Sequence, residues 1–568
     1  MKGTSMKRIA LWLASIALTA FVGTAAAQEE SSYTNLALVK GILFLNSEDA
    51  VKPEGVPALQ GIVVKDVKVL EREDFQIVAR QYLGKPLDTV SMREMQRDIV
   101  LYCRAHRHPI VDVIYVEQDV SNGVLQVVVL EGKVAARPVT YVKDAGPGKP
   151  PLAVTNGWTK PQFVTDRVRL REGHPIDMRV LQRDLDWLNR NPLRKVDVLF
   201  RPGAKIGYAD VILEVREERQ WQAHLGYDNT GTRFTDFNRI NAGVAWGKAF
   251  GLTDHFFTYD FIADPALDHL RAHTASYAIP LPWRHELRFM GYYLDVEGDI
   301  GSGIRLEGAN YQASFRYAIP LPYIGKYQQE VAFGLDFKSA DNNLNLGVFQ
   351  AHNAPTEIFQ FALGYSGIVR DFLGETRLGA QFYFSPGGVT SKNTDAAFAQ
   401  SRLFAESQYV YGRLQAERQT RLPANFTWLV RIGAQRADGN LLPTEQFGLG
   451  GYATVRGYHE REVNTDNGWN LSQELRTPEF SPLANWCKWA WVNDKMQFLG
   501  FFDYGAGKVI NSSPSDVFTS RELAGAGFGL RYTARKNLEL RFDYGWQLKR
   551  YKEIDYASTW HLAAMLKF

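Results

Sequence analysis

The chain has 568 residues, of which 45% are apolar, 13% aromatic and 22% charged. That is enough hydrophobic material for real cores and excludes a disordered or collagen-like polymer. The formal net charge is +3, and Lys2, Lys7 and Arg8 supply all of it; the rest of the chain is neutral, leaving no basic surplus for phosphates, so nucleic acid is not expected as a partner.

Lys2, Lys7 and Arg8 precede an apolar run, Ile9 to Val22, and then Ala25-Ala26-Ala27. A positive start, a short apolar centre and small residues at the cleavage point predict a signal peptide over residues 1–27. No later stretch reaches the ~18 apolar residues that a transmembrane helix needs. An exported chain of this kind is either soluble outside the cytoplasm or a β-barrel in an outer membrane. Its two cysteines, Cys103 and Cys487, do not make a disulfide scaffold.

Residues 36–217 mix helical and strand signals. Leu38–Leu45 reads as a strand, and Glu71–Tyr82 has helical spacing at Phe75, Ile77, Val78 and Tyr82. Ser91 with Glu94 forms a capping box for a helix running to about His106. Ile110–Glu117 and Val124–Leu130 flank Asn122-Gly123, a strong hairpin signal. The order β-α-α-β-β then recurs: a weak strand near Val139, a helix over Gln162–Leu170, a helix from an Asp177 cap through Leu188, and strands at Val196–Phe200 and Ala209–Val215. Two such copies in series make two small α/β domains, 28–132 (with the N-terminal segment) and 133–217.

Residues 218–568 contain no convincing long helix. Sixteen alternating segments, from Trp221–Asp228 to Thr559–Phe568, are separated by Gly, Asn, Asp and Pro clusters; one of them is Leu403–Leu414. Alternation is clearest in Leu538–Gln547, where Leu538, Leu540, Phe542, Tyr544 and Trp546 share one face, and Glu539, Arg541, Asp543, Gly545 and Gln547 the other. Even-numbered strands of about ten residues, apolar outward and polar inward, predict a sixteen-stranded outer-membrane barrel. Tyr277-Ala-Ile-Pro-Leu-Pro282 returns as Tyr317-Ala-Ile-Pro-Leu-Pro322, the same strand end and turn one hairpin later. The fold class is therefore mainly β: a sixteen-stranded antiparallel transmembrane barrel preceded by two small α/β domains.

These parts together resemble a known family. The run Leu188-Asn-Arg-Asn-Pro-Leu-Arg-Lys-Val196, Arg201-Pro-Gly203, Leu213-Glu-Val-Arg-Glu217 and Gly226-Tyr-Asp-Asn-Thr-Gly231 is similar to the second POTRA domain and first barrel strand of the TpsB transporters of two-partner secretion. Val124–Gly132 fits the end of a first POTRA domain. Gly450-Gly-Tyr-Ala-Thr-Val-Arg-Gly-Tyr458 resembles the signature of the sixth extracellular loop in the BamA/TpsB superfamily. In that family the loop, here about 441–469, folds back into the lumen, and its Arg pairs with an acid of a Phe-x-Asp-x-Gly motif, here Phe501-Phe-Asp-Tyr-Gly505. The resemblance thus implies a loop motif of Val455, Arg456, Gly457 and Tyr458 with wall partners Asp503, Phe501 and Gly505; strand parity turns Asp503 and Phe501 toward the lumen and sets Glu474 inward on the preceding strand. Some relatives carry an N-terminal plug helix. Either Leu38–Leu45 is the first POTRA strand, leaving no room for one, or the first strand is Ile62–Leu70 and residues 36–47 are its remnant.

The resemblance implies export of a cognate secreted exoprotein, a TpsA-type adhesin or haemolysin, from the periplasm to the cell surface through the lumen, without nucleotide hydrolysis. Its partners would be that client, outer-membrane lipid, and the barrel-assembly machinery that inserts the protein itself. The alternative is a BamA-like insertase, disfavoured by two POTRA copies where BamA has five. Client capture is expected on strand edges of the POTRA domains, with Val111, Val113 and Tyr115, and Val196, Val198 and Phe200, as candidates; the same side chains also fit a domain core. No catalytic set, cofactor or metal site is expected. Cys103, His106 and His108 have metal-ligand chemistry but end a helix and lack a fourth ligand, and no phosphate-binding loop is present.

Overall fold

The computed structural model describes residues 37–106, 108–145, 150–217, 219–233, 235–299, 305–341, 355–488, 492–513 and 518–568. The expected signal peptide lies outside the described residues.

Asn122-Gly123 lies in the connection between the strands of the first hairpin, but the strand expected over Ile110–Glu117 ends at Ile114, so residues 115–123 join the two. Gly123 has a φ of 81°, and a Cβ there would meet the Leu38 carbonyl oxygen at 2.6 Å, so the turn requires glycine. The first repeat comprises β1 (Gly41–Leu45), β2 (Gly61–Val64), α1 (Glu73–Arg80), α2 (Thr89–Ala105), β3 (Val111–Ile114) and β4 (Val124–Glu131). Its sheet order is β2-β1-β4-β3, with β1 parallel to both neighbours. Both segments weighed for the first strand are therefore strands, and residues 41–45 are not the remnant of a helix. Their side chains are all buried, which fits a run without polar residues. Phe44, Phe75, Ile99 and Val127 knit the sheet to the two helices. Helix α2 starts earlier than the Ser91 box predicts: Asp88 accepts the Ser91 N–H at 2.6 Å, a carboxylate serving the free amides at the helix start.

The second repeat has β5 (Lys133–Val134), β6 (Val139–Lys143), β7 (Leu152–Val154), α3 (Pro161–Thr165), α4 (Met178–Leu188), β8 (Arg194–Pro202) and β9 (Tyr208–Glu217). β6 runs parallel to β9, and β8 pairs with β9. The helix expected over Gln162–Leu170 is a single turn, α3. Its continuation is lost because the Arg169 N–H bonds the Asp184 carboxylate on α4, at 2.7 Å, instead of a preceding carbonyl.

The remainder closes a sixteen-stranded antiparallel barrel. Its first strands are β10 (Trp221–Asp228), β11 (Arg239–Trp246), β12 (Phe256–Ala263), β13 (Leu270–Pro280), β14 (Glu286–Asp299), β15 (Arg305–Ile324), β16 (Tyr327–Ala340), β17 (Thr356–Arg370) and β18 (Gly374–Pro386). After α5 (Asp395–Ser401) come β19 (Gln408–Arg421) and β20 (Thr427–Ala437), then a small hairpin, β21 (Phe447–Leu449) with β22 (Val463–Thr465). The wall resumes with β23 (Asn467–Arg476), α6 (Pro482–Trp486), β24 (Asp494–Lys508), β25 (Ser520–Ala534), β26 (Leu538–Gln547) and β27 (Ser558–Lys567). β27 pairs with β10, Lys567 opposite His224 and Ala563 opposite Asp228, which seals the cylinder. The strand expected at Leu403–Leu414 begins at Gln408, because Phe404 takes a φ of 64°, the Ala405 N–H closes a turn onto the Arg402 carbonyl and the Ser407 N–H is taken by the Asp395 carboxylate at 2.7 Å.

Alternation assigns the faces. Trp546, Trp560, Leu566 and Phe528 are exposed on the outside, whereas Asp543, Gln547 and His561 are buried inward. An apolar exterior around a polar interior is the reverse of a soluble core and is what a bilayer demands. No helix among the described residues is long and apolar enough to cross a membrane.

Candidate functional site

The connection between β20 and β23 enters the barrel as a strap. Three glycines shape its tip: Gly450, Gly451 and Gly457 have φ of 102°, 92° and 98°, which side chains would strain. Val455 and Arg456 between them, and Tyr458 directly after Gly457, are buried.

Arg456, 1% exposed, is the centre. Its Nε and Nη2 grip both oxygens of Asp503, at 2.7 and 2.9 Å, the bidentate geometry for which guanidinium and carboxylate are matched. Its own backbone N–H adds a third bond to Asp503, at 3.0 Å. Nη1 reaches Glu474 at 2.8 Å and Asp543 at 3.3 Å. The guanidinium lies over Phe501, 3.6 Å from the ring centroid, a cation–π contact. The barrel register explains why these groups converge. Ser472 stands opposite Asp503 and Glu474 opposite Phe501 across β23–β24, so consecutive inward positions form one polar row. A second shell of cations surrounds it: Arg476 binds Glu474 at 2.5 Å and Arg531 binds Asp543 at 3.0 Å. Two acids holding a buried cation are thus themselves neutralised. The enclosing acids keep Arg456 protonated by pushing its pKa up, against the opposing effect of burial.

The wall beneath the tip lacks side chains. A Cβ at Gly525 would fall 1.9 Å from the Arg456 carbonyl oxygen, and one at Gly545 2.6 Å from the Gly457 nitrogen. A Cβ at Gly505 would meet Leu449 at 2.8 Å and Val455 at 3.1 Å. The glycines therefore admit the loop backbone onto the strands. The Tyr458 hydroxyl ends against the Lys549 and Ala524 carbonyls. Arg541 lies over the Tyr452 ring, 3.1 Å from its centroid.

Other anchors were not foreseen from the sequence. Glu460 accepts the Tyr452 N–H at 2.7 Å, and burial pushes its carboxyl up to about 7. His459 sits between Phe237 and Tyr556, with centroids 4.5 and 4.1 Å away. Glu445 binds Lys338 at 2.7 Å and the Tyr411 hydroxyl at 2.5 Å; Lys338 and Arg413 draw its carboxyl down to about 2. Asp466 takes the Leu441 and Ile510 N–H groups. Alternation puts Asp543 on the polar face of its strand, and nothing in the sequence marks it as a partner of Arg456.

The loop motif and its four wall partners thus come together, while the POTRA candidates do not form a second cluster. Val111 and Val113 are buried in the first repeat's core, and the Tyr115 hydroxyl bonds the Met92 carbonyl at 2.7 Å. These side chains are not a sticky edge; among the described residues β3 has β4 as its one strand neighbour, and on its other side the Val113 carbonyl accepts from the Gln96 amide at 3.1 Å. Val196 is buried, and Val198 and Phe200 are half-buried on β8. Cys103 and Cys487 are free thiols. His106 bonds Asp74 and the Tyr102 carbonyl, and His108 faces Glu131 at 3.5 Å, so the two imidazoles have separate partners.

A sixteen-stranded barrel with an in-folded loop behind POTRA-type repeats defines an outer-membrane protein with a periplasmic POTRA part. A profile of the haemolysin secretion/activation proteins ShlB/FhaC/HecB matches residues 207–532, and one of ShlB-type POTRA domains matches residues 58–132. The chain belongs to the ShlB/FhaC/HecB family. It is 24% identical over 433 residues to the outer membrane transporter CdiB of Escherichia coli O6:K15:H31, covering 74% of this chain and 66% of that one, just under two thirds of its length. It is 23% identical over 375 residues to the hemolysin transporter protein ShlB of Serratia marcescens, covering 61% of this chain and 63% of that one. The solved structure of CdiB from Escherichia coli superposes with a TM-score of 0.66 at 18% identity, over 95% of this chain and 93% of that one, a likeness of fold.

Proposed function

We propose that this protein exports a secreted exoprotein across the outer membrane through its barrel lumen, after capture by the POTRA part in the periplasm and without nucleotide hydrolysis. The observation that carries the reading is the docking of Arg456 onto Asp503, Glu474 and Asp543. A loop that passes through the lumen, fixed there by a buried cation and by Glu445 and Asp466, sets the shape of the path that a client would follow. The family assignment and the apolar exterior support the same reading. The outer edge of β3, which has no strand on it among the described residues, would offer an extended client a strand to pair with once Gln96 lets go of the Val113 carbonyl.

The test is secretion of a candidate partner exoprotein, in cells expressing wild type or Arg456→Ala with equal surface levels of barrel. Removing one partner from a buried ion cluster costs about 3–5 kcal/mol, so the loop should leave its site and secretion should fall at least tenfold. Equal export by the variant would sink the role of the loop. Failure of export by wild type, together with loss of other barrel proteins on depletion, would replace export with barrel insertion.

A further inference from the structure

The repeated Tyr-Ala-Ile-Pro-Leu-Pro segments have a use that loop docking leaves open. Both end in turns that meet α4. The first delivers Trp283 and Arg284, the second Tyr323, and together with α4 they enclose a cavity of about 440 Å³. Its charged lining is Arg169, Arg183, Arg190 and Arg284 against Asp186 and Glu330. Three of these cations are matched: Arg169 and Arg284 share the buried Asp184, and Arg190 pairs with Glu286 and Glu330. Arg183 has no carboxylate partner among the described residues; its Nε is buried without a hydrogen bond, and its guanidinium lies 5.8 Å from the Tyr323 ring centroid. Asp186 is occupied by the Tyr323 hydroxyl and Gln182.

Glu330 and Ser366 also line a second cavity, of about 700 Å³, which follows the inner wall to Thr454 at the loop tip. Five arginines, among them Arg377 and Arg413, line it against Glu330 and Glu417. The first cavity therefore opens on the lumen side, where lipid does not run. Its walls are aromatic and proline faces with one unmatched cation.

We infer that this cavity is a binding site for carboxylate side chains of an extended polypeptide, the first station of a cationic track leading to the loop. This deepens the export reading and rests on it: the client would carry acidic residues in its leading segment. Arg183 supplies the fork that a carboxylate fits.

Fluorescence anisotropy of fluorescein-labelled hexaglutamate and hexalysine with the full-length detergent-solubilised protein tests the site without secretion. Hexaglutamate should bind and hexalysine should not. Arg183→Gln should weaken hexaglutamate at least ~5-fold, the loss of one charge-assisted contact, with the heat-dependent gel mobility of the barrel unchanged. Arg183 is half-exposed, so the variant folds; Arg183→Lys should bind between the two. Hexaglutamate binding that ignores Arg183 overturns the site. So does binding of dihexanoylphosphatidylglycerol or inorganic phosphate that needs Arg183 while hexaglutamate does not bind. Intact secretion by a protein that binds no hexaglutamate rejects the site alone; hexaglutamate binding by a protein that secretes nothing rejects export alone.

Discussion

At Gly525 a single missing methyl group decides whether the loop can dock. The Arg456 carbonyl oxygen occupies the space that a Cβ would take, 1.9 Å away, and both partners are backbone, so neither can rotate aside. Gly525→Ala should therefore displace the loop as thoroughly as removal of Arg456, although it deletes no interaction. A nitroxide placed by Ala453→Cys in a Cys103→Ser, Cys487→Ser background, which removes the two native thiols, should show the same gain in mobility in both variants by electron paramagnetic resonance. A rigid spectrum in Gly525→Ala would mean that the strand, not the loop, gives way. The same substitution at Gly291, where nothing lies within 4 Å of an added Cβ, should leave the spectrum unchanged.

Within the loop, Glu460 ties docking to pH. An ordinary glutamate ionises near 4.5, and this one is held neutral up to about 7. A folded pKa above the unfolded value gives a contribution that is complete below about 4.5 and is lost as pH rises through about 7. Arg541, Asp228 and Arg461 are the charged groups that modulate it. The nitroxide at position 453 should thus be more restricted at pH 5 than at pH 8, and Glu460→Gln should abolish the difference. A pH effect surviving in Glu460→Gln would place the titrating group elsewhere, with His459 next.

How legible these elements are follows from the distance over which their cause acts. Strands reveal themselves because outside and lumen alternate with every residue, as in Leu538–Gln547. The turn at Asn122-Gly123 is as local. The Arg456–Asp503 pair is legible only through the resemblance of two short motifs; strand parity adds that Asp503 faces inward. Glu445, Glu460 and Asp466 carry no such signature, because their partners Lys338, Tyr452 and Arg402 are fixed by how the loop threads the barrel. The truncation of α3 was equally hidden: it depends on Asp184, fifteen residues ahead.

For the molecule as a whole, the second repeat is joined to the barrel by more than its linking strand. Arg194 is almost fully buried and bidentate to Asp254 in the turn after β11, at 2.6 and 3.1 Å, and it donates to the Leu188 carbonyl at 2.6 Å. Asn191 bonds the Gly247 carbonyl at 3.0 Å. Arg194→Ala would strand a buried carboxylate at a cost of about 3 kcal/mol. Limited trypsin digestion should then release the POTRA part at a lower protease dose while the barrel fragment stays heat-resistant. Adding Asp254→Ala should restore part of the resistance. If the double variant is as sensitive as the single one, the pair does not set that junction.

The glycine wall has a consequence for how the loop lets go. Interfaces between interlocking side chains lose rotamer freedom on closing, roughly 0.5–2 kcal/mol for each long side chain, and separate through many small steps. At Gly505, Gly525 and Gly545 the wall has no rotamers to lose. Its side of the contact is equally ordered with the loop present or gone, so the entropy of docking falls on the loop, chiefly on the long side chain of Arg456. Over the glycines the strap can slide, so its release is set by how many of the side-chain anchors, Arg456, Glu445, Tyr458 and Asp466, must give way together.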